Sequence, residues 1–143
     1  VGKSEIMDSI HDAGIGSTFG ASPISCAAAL GVLEAFDSED ILTNSQEQAI
    51  LMNNYLNDLK DKHEFIGDVR GYGPMIGVEF VEDRVKKIPD KNLVNKILLK
   101  SRENGLLLVS FGRDGNVIRF MGPLTTPLEQ VNEALNIFEN SLI

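Results

Sequence analysis

The amino-acid sequence predicts an α+β fold of two layers, a small antiparallel sheet with helices packed on one face, preceded by a long linking helix. Two patterns carry this prediction. Apolar residues recur at alternating three- and four-residue steps over residues 39–63 and 128–142, as on one face of a helix. Residues 76–80 alternate between large apolar side chains and a glycine or glutamate, which is the period of a half-buried strand. With 143 residues and 43% hydrophobic content, the chain can bury a core.

Two helices are predicted in the first half of the chain. Residues 24–36 are apolar on nearly every side, so we expect a helix buried against other structure, with part of that surface bare in this chain taken alone. A second helix is predicted from residue 39 to about residue 63, with Asp37 or Ser38 as its N-cap. Its buried face would consist of Leu42, Ser45, Ala49, Met52, Leu56 and Leu59.

Glycines and caps divide the middle of the chain. Gly67 and residues 71–73 end the helical pattern before the strand at residues 76–80. Asp90 is expected to cap a further helix, which the pair Asn104-Gly105 would end.

A hairpin and a last helix complete the prediction. Residues 106–111 are predicted to form a buried strand, residues 112–116 a turn, and residues 117–121 the strand that pairs with the first. Residues 126–129, Thr-Pro-Leu-Glu, combine a capping box with proline at the first helical position, so the last helix is expected to begin there.

Composition excludes several classes of function. A net charge of -8 and an isoelectric point near 4.7 argue against nucleic-acid binding, because no basic stripe is present. No apolar run is long enough to span a membrane. The single cysteine, Cys26, suggests a buried thiol in a reducing compartment and hence a cytoplasmic protein. His11 and His63 lie far apart in the sequence and are expected to be solvated, so we predict no metal site.

A glycine-rich loop over residues 14–20 leads directly into the first predicted long helix. Such a loop leaves backbone N–H groups unpaired at a helix start, and the Thr18 hydroxyl can add a donor to a bound anion, most naturally a phosphate. The alternative is a set of tight turns in which only glycine adopts positive φ, and both interpretations stay open here. For the similar pattern over residues 71–77, which leads into a strand, we favour tight turns.

Arg119 is the second candidate. Its neighbours Ile118 and Phe120 would face the core, which places the guanidinium on the opposite face beside Val117 and Met121. The rigid fork of arginine matches a carboxylate, as in an amino acid or a keto acid. The alternative is a salt bridge to one of the 21 acidic residues, and the residues alone favour that alternative. Arg70, close to Asp68, is expected to be structural.

Taken with residues 71–77 and 116–125, the loop at residues 14–23 resembles the C-terminal part of the class III aminotransferases, which use pyridoxal phosphate (PLP). The resemblance covers essentially the whole chain. It implies that residues 1–37 are the tail of the large PLP domain, with the phosphate-binding loop and linking helix, and that residues 38–143 are the C-terminal small domain of a fold type I PLP enzyme.

The resemblance also assigns roles to individual residues. It implies that Gly16, Ser17 and Thr18 bind the PLP phosphate of the neighbouring subunit in a homodimer, and that Arg119 binds the substrate α-carboxylate. The family's lysine that forms the Schiff base with PLP lies upstream of the matching segment. We therefore assign no catalytic residue and expect a C-terminal fragment that is inactive by itself. Ala21-Ser22-Pro23 departs from the usual Gly-Asn-Pro, which affects the loop geometry but leaves Thr18 in place.

Residues 107–112 and 116–119 are most similar to 4-aminobutyrate aminotransferases. The expected reaction transfers an amino group from 4-aminobutyrate, or a similar ω-amino acid, to 2-oxoglutarate. One alternative is an aminotransferase of the acetylornithine or ornithine type. Another is a non-catalytic module that binds a small anion or a partner subunit.

Overall fold

The computed structural model describes residues 2–11, 14 and 16–142; Val1, Asp12, Ala13, Ile15 and Ile143 lie outside the description. The chain divides into two compact units, residues 1–39 and 40–143. The assignment of residues 1–37 and 38–143 to two domains of a larger enzyme stays a prediction.

The first unit contains helices α1 (Ser4–Met7) and α2 (Pro23–Ser38). Proline occupies the first turn of α2, where its missing N–H costs nothing. The helix predicted over residues 24–36 is therefore present, but none of its residues is buried in this chain, and Cys26 is exposed as well. The buried thiol predicted at Cys26 is wrong for this chain, whereas a bare helix surface agrees with what was expected of this chain taken alone.

The second unit carries the sheet and its helices. Its elements are α3 (Ile41–Lys62), β1 (Ile66–Tyr72), β2 (Met75–Asp83), β3 (Ile88–Pro89), α4 (Lys91–Glu103), β4 (Ser110–Phe111), β5 (Val117–Phe120) and α5 (Leu128–Ser141). The strands run in the order β1-β2-β5-β4, with β3 paired to the end of β2, and every pairing is antiparallel. This is the predicted small antiparallel sheet with helices.

The core lies between the sheet and helices α3, α4 and α5. Register places Ile76 opposite Phe120 and Val78 opposite Ile118, and all four side chains are buried. Phe138 of α5 meets the Phe120 ring edge-on, with 5.0 Å between the ring centroids. Burial of each such side chain contributes about 1.5–3 kcal/mol, so the alternating strand and the helical stripe stabilise the same core.

Strand β1 lies outside the predicted elements, because glycines occupy positions where its backbone bends or approaches β2 closely. The register shifts at Gly67, where an added Cβ would lie 2.8 Å from Val81. At Gly71 a Cβ would lie 2.1 Å from the carbonyl oxygen of Met75, and Gly73 has a φ of +56° in the connecting turn. The tight turn expected within residues 71–77 is thus present.

Two predictions about α3 are wrong. Asp37 and Ser38 belong to α2, and Asp40 stands at the N-cap of α3 without a side-chain capping bond. Leu42 is exposed, whereas Gln48 is buried on the helix face. The apolar period therefore predicts the buried face of the helix to within about one residue. A polar side chain that hydrogen-bonds to backbone groups can take an apolar position on that face.

The hairpin is confirmed, but its first strand is shorter than predicted. Only Ser110 and Phe111 pair with β5, while Leu107 and Val109 are exposed. Residues 106–109 are therefore not part of the strand, although their apolar character predicted that they would be. The turn is as expected, with positive φ at Gly112 and Gly115.

Of the N-caps predicted for the last two helices, one is confirmed and one is wrong. The Asp90 side chain accepts a hydrogen bond from the Leu93 N–H, as predicted for α4. The capping box predicted for α5 is wrong, because Thr126 Oγ1 donates to the Pro123 carbonyl instead and the helix begins one residue later.

Over the described residues, no helix has the length and apolar character needed to cross a membrane.

Candidate functional site

Arg119 lies in the middle of β5 and faces away from the core. Its neighbours Ile118 and Phe120 are buried, while Arg119 itself is half-buried, as the alternation predicts. Register places Arg119 directly opposite Gly77 of β2. A Cβ at Gly77 would lie 3.2 Å from Val117, so glycine lets the Val117 side chain pack closely against β2 on that face.

Arg119 lines a pocket of about 280 Å³ in the second unit. Most of the lining is apolar, and it combines Arg119 and Phe111 with residues of the segment before β4 and with core residues of α3, β5 and α5. It includes Met52, Leu106, Leu108, Phe111, Phe120 and Leu135. A cation in an apolar pocket is poorly hydrated, so it gains more from a bound anion than a fully solvated arginine would.

Among the residues that the structure describes, the guanidinium of Arg119 has an aromatic neighbour and no acidic ion-pair partner. Its Cζ lies 3.8 Å from the centroid of the Phe111 ring. No carboxylate among the described residues forms an ion pair with it. The salt bridge considered as an alternative is therefore absent from this part of the chain, and the N–H donors of the guanidinium are available to a ligand.

Arg70 has the opposite environment. It forms ion pairs with Asp68, at 3.1 Å, and with Glu79. Hydrogen bonds from Arg70 Nη1 to Glu79 and Asp68 raise the pKa of the guanidinium. Partial burial raises the pKa of Asp68, but hydrogen bonds from Arg70 and Lys60 outweigh it and leave that pKa below its usual value. The structural role predicted for Arg70 agrees with these contacts.

Two polar residues of α3 hold the loop that borders the pocket. Gln48 is buried, and its Nε2 donates to the carbonyls of Leu124 and Thr126, each at 2.9 Å. Asn44, one helical turn earlier, donates to the same carbonyl of Leu124. Sequence reasoning missed both residues, although polar side chains four residues apart along an apolar stripe are a signal for buried hydrogen bonding.

The turn between β4 and β5 fixes the position of Phe111. Asn116 is buried, and its Nδ2 donates to the Phe80 carbonyl at 2.9 Å, which fixes the turn to β2. Gly112 adopts a φ of +82°, a conformation that glycine allows without strain. Phe111 pairs with Val117, so Arg119 is its diagonal neighbour on the same face.

The loop at residues 16–20 presents hydroxyl groups to solvent. Ser17 and Thr18 are exposed, and neither hydroxyl makes a hydrogen bond within the described part of the chain. The Gly20 N–H donates to the Ser17 carbonyl at 3.1 Å and closes a turn. Positive φ occurs at Ala21 rather than at Gly16 or Gly20, so the need for positive φ does not explain those two glycines.

Metal-binding groups do not cluster in the described residues: no three histidine, cysteine, aspartate or glutamate side chains lie close enough together to hold an ion. His63 is half-buried rather than solvated, with its ring centroid 4.9 Å from that of Phe65.

The sequence matches the protein-family model described as Aminotransferase class-III over residues 1–142. This chain belongs to the class III aminotransferases. The resemblance inferred from the motifs is thereby confirmed.

Relatives of this class III chain include aminotransferases that act on ω-amino acids. It is 45% identical over 136 residues to the 5-aminovalerate aminotransferase DavT of Pseudomonas aeruginosa, and 38% identical over 136 residues to the 4-aminobutyrate aminotransferase GabT of Escherichia coli. Each alignment covers 95% of this chain and 32% of the relative. The chain thus spans about a third of the length of these curated relatives.

Solved structures of aminotransferases share the fold. A Bacillus anthracis aminotransferase superposes with a TM-score of 0.84 at 25% identity, over 97% of this chain and 33% of that one. A PLP-bound amine transaminase from an uncultivated Pseudomonas species gives a TM-score of 0.79 at 27% identity, over 92% of this chain and 30% of that one. The predicted fold class of this class III chain is thereby confirmed.

Proposed function

We propose that this chain forms the C-terminal third of a PLP-dependent aminotransferase that transfers an amino group from a short ω-amino acid to 2-oxoglutarate. One observation carries the proposal. In a chain of this family, the pocket-lining Arg119 keeps its guanidinium free of any acidic partner among the described residues.

Arg119 is the residue that we assign to the substrate α-carboxylate. Two parallel N–H···O bonds from one guanidinium fix both the position and the plane of a carboxylate. A carboxylate held in this way orients the amino or oxo group of glutamate or 2-oxoglutarate. The apolar lining supports the proposal, because apolar neighbours lower the local dielectric constant and so strengthen an ion pair.

Ser17, Thr18 and the backbone at Gly16 are the residues that we assign to the PLP phosphate. The fit rests on two hydroxyls that have no hydrogen-bond partner among the described residues and that lie in the loop leading to the N-terminus of α2, a helix end that favours anions. When bound, PLP accepts the amino group and delocalises the charge that develops at the substrate carbon. By resemblance, we propose that the phosphate belongs to the neighbouring subunit of a homodimer.

No lysine of this chain is assigned to the PLP aldehyde, so we propose that the chain is inactive by itself. The test is borohydride reduction of the 143-residue chain with stoichiometric PLP, followed by peptide mass spectrometry. Scattered, substoichiometric labelling is the expected result. One fully modified lysine would contradict the proposal by revealing a self-contained cofactor site.

The amino donor is proposed from the relatives. Both 5-aminovalerate and 4-aminobutyrate, named for the two relatives above, carry the amino group at the end opposite to the carboxylate. The higher identity to the 5-aminovalerate enzyme, 45% against 38%, favours testing that donor beside 4-aminobutyrate. Acetylornithine and ornithine are the competing donors to include.

The test of the reaction uses the intact protein that contains this chain, loaded with PLP. Glutamate formation from 2-oxoglutarate is measured with each of the four donors. We expect turnover with 4-aminobutyrate or 5-aminovalerate to exceed that with acetylornithine or ornithine. A preference for the ornithine type, or no transfer from any donor, would contradict the proposal.

The assignment of Thr18 is tested separately by PLP retention. Thr18→Ala should release PLP more readily on dialysis, because one donor to the phosphate is lost. Thr43→Ala, on the exposed side of α3, removes the same hydroxyl elsewhere and is the matched control. Equal retention in the two variants would overturn the assignment of Thr18.

A further inference from the structure

The strands around Arg119 provide it with a flat aromatic support. The Cζ of Arg119 lies 3.8 Å from the Phe111 ring centroid, which is the distance of a stacked cation and ring. Both side chains are half-buried and line the same pocket. Neighbouring strands therefore place the ring on one flat face of the guanidinium.

A ring and an acid hold an arginine in different ways. An acid accepts the N–H donors at the edge of the guanidinium and neutralises its charge, as Asp68 and Glu79 do for Arg70. A ring contacts the flat face and leaves the donors at the edge unused. Phe111 can thus fix the plane of Arg119 while preserving the charge and donors that a carboxylate needs.

The position of Phe111 is set by the fold rather than by Arg119. The β4–β5 turn is fixed by Asn116, which donates to the Phe80 carbonyl, and by the positive φ of Gly112. A Cβ at Gly112 would lie 3.2 Å from Val117, so the chain is closely packed just after the ring. The backbone that carries the ring is therefore fixed before any ligand arrives.

From these contacts we infer that Phe111 is a positioning residue, which holds the guanidinium of Arg119 in the plane that accepts a substrate carboxylate. The inference rests on the proposed function, since it acts through the carboxylate role of Arg119. It predicts that loss of the ring impairs substrates that carry an α-carboxylate and spares amines that lack one.

The kinetic test compares Phe111→Leu and Phe111→Tyr in the intact PLP-loaded protein. With Phe111→Leu, KM for 2-oxoglutarate and glutamate should rise about fivefold, since the free arginine must be ordered on binding. The kcat for these substrates, and the kinetics with 4-aminobutyrate, whose amino carbon bears no carboxylate, should change less than about twofold by the same argument. Phe111→Tyr keeps a ring and should restore the wild-type KM.

Phe65→Leu is the matched control, because Phe65 is a half-buried phenylalanine that contacts His63 and Phe80 rather than an arginine. It should leave KM for 2-oxoglutarate unchanged. The inference is overturned if Phe111→Leu leaves that KM unchanged. It is equally overturned if Phe111→Leu impairs substrates with and without an α-carboxylate alike, as a purely structural defect would.

A second measurement separates this inference from the proposed function. In the NMR spectrum of the intact protein, the Arg119 side-chain protons should show an upfield ring-current shift that Phe111→Leu removes and Phe111→Tyr retains. If that shift is present but no donor supports transfer, the proposed function fails and the contact stands. If the shift is absent in the wild-type protein, the positioning role fails whatever the enzyme catalyses.

Discussion

Arg70 and Arg119 lie on the same face of one sheet, each opposite Gly77 of the strand between them. Arg70 pairs with Asp68 and Glu79, whereas Arg119 stacks on Phe111 and pairs with no acid in the described part of the chain. The two arginines share a sheet and a register, so the difference comes from their neighbours. Asp68 precedes Arg70 by two residues, and the corresponding neighbour of Arg119 is Val117.

We therefore assign the two arginines different roles, one in holding strands together and one in binding a ligand. The paired arginine joins β1 to β2 across an exposed surface, and such ion pairs contribute little stability. Arg119 lines an apolar pocket, where an ion pair with a ligand contributes more binding free energy than it would at an exposed surface. Carboxylate binding should therefore depend on Arg119 and be insensitive to Arg70.

The largest expected effect is on substrate affinity in Arg119→Ala. Loss of a charge-assisted bidentate pair should raise KM for 2-oxoglutarate by roughly 100-fold, or about 2.7 kcal/mol. Steady-state kinetics of the intact protein measure this change. Arg70→Ala is the matched control and should alter KM by less than about twofold, since its partners are protein carboxylates. Equal effects of the two substitutions would break the distinction between the arginines.

The second prediction gives Arg119 the partner that Arg70 has. Val117→Asp places a carboxylate two residues before Arg119, on the same face of β5, where it can compete with substrate for the guanidinium. KM for 2-oxoglutarate should rise about tenfold, which corresponds to about 1.4 kcal/mol. Val117→Asn has nearly the same shape without the charge. If the asparagine and aspartate variants have the same KM, competition by an added charge is excluded.

Periodicity predicted β5, which carries Arg119, and α5, which lines the same pocket, because β5 shows regular alternation and α5 a regular helical stripe. It did not predict β1, where Gly67 and Gly71 serve a bulge and a close backbone approach instead of filling a pattern. It also placed α2 in a core whose covering surface the described chain does not supply. A sequence pattern shows which face of an element is apolar, but it does not show which residues pack against that face.

The sequence predicted which residue occupies the candidate site, but it did not predict which side chains surround that residue. The position of Arg119 between two core residues was evident from alternation. The stack on Phe111 depends on the β4–β5 register, which brings residues 111 and 119 together diagonally, and no carboxylate of the described residues pairs with Arg119 there. Gln48 and Asn44 were missed because their partners are carbonyls of a loop about 80 residues away in the sequence, which follows from the separations between the paired residues.

The third prediction concerns stability around Arg70. Its ion pairs are partly exposed, so Arg70→Ala should lower the local stability of the β1–β2 hairpin by about 0.5 kcal/mol. Amide hydrogen exchange of the hairpin measures this directly. Arg119→Ala should leave exchange in the same hairpin unchanged. A larger loss of protection in Arg119→Ala would mean that Arg119 is the structural residue of the two.

The smallest effect is a pH dependence confined to the Arg70 cluster. The pKa of Asp68 lies below its usual value in the folded chain, so its contribution to stability is present above that usual value. The contribution is lost as pH falls through the lowered pKa. The difference in hairpin exchange stability between wild type and Arg70→Gln should therefore shrink as pH falls below about 4. An unchanged difference down to the lowest pH at which the protein stays folded would contradict the role of Asp68.

The central claim, that Arg119 is reserved for a substrate carboxylate, is tested most directly by a crystal structure of the intact protein with PLP and glutarate, an unreactive dicarboxylate. We predict that one carboxylate of glutarate accepts two hydrogen bonds from the Arg119 guanidinium, which remains stacked on Phe111, while Arg70 keeps its contacts with Asp68 and Glu79. The claim would be contradicted if glutarate were bound elsewhere and Arg119 were paired with an acidic residue from the remainder of the protein.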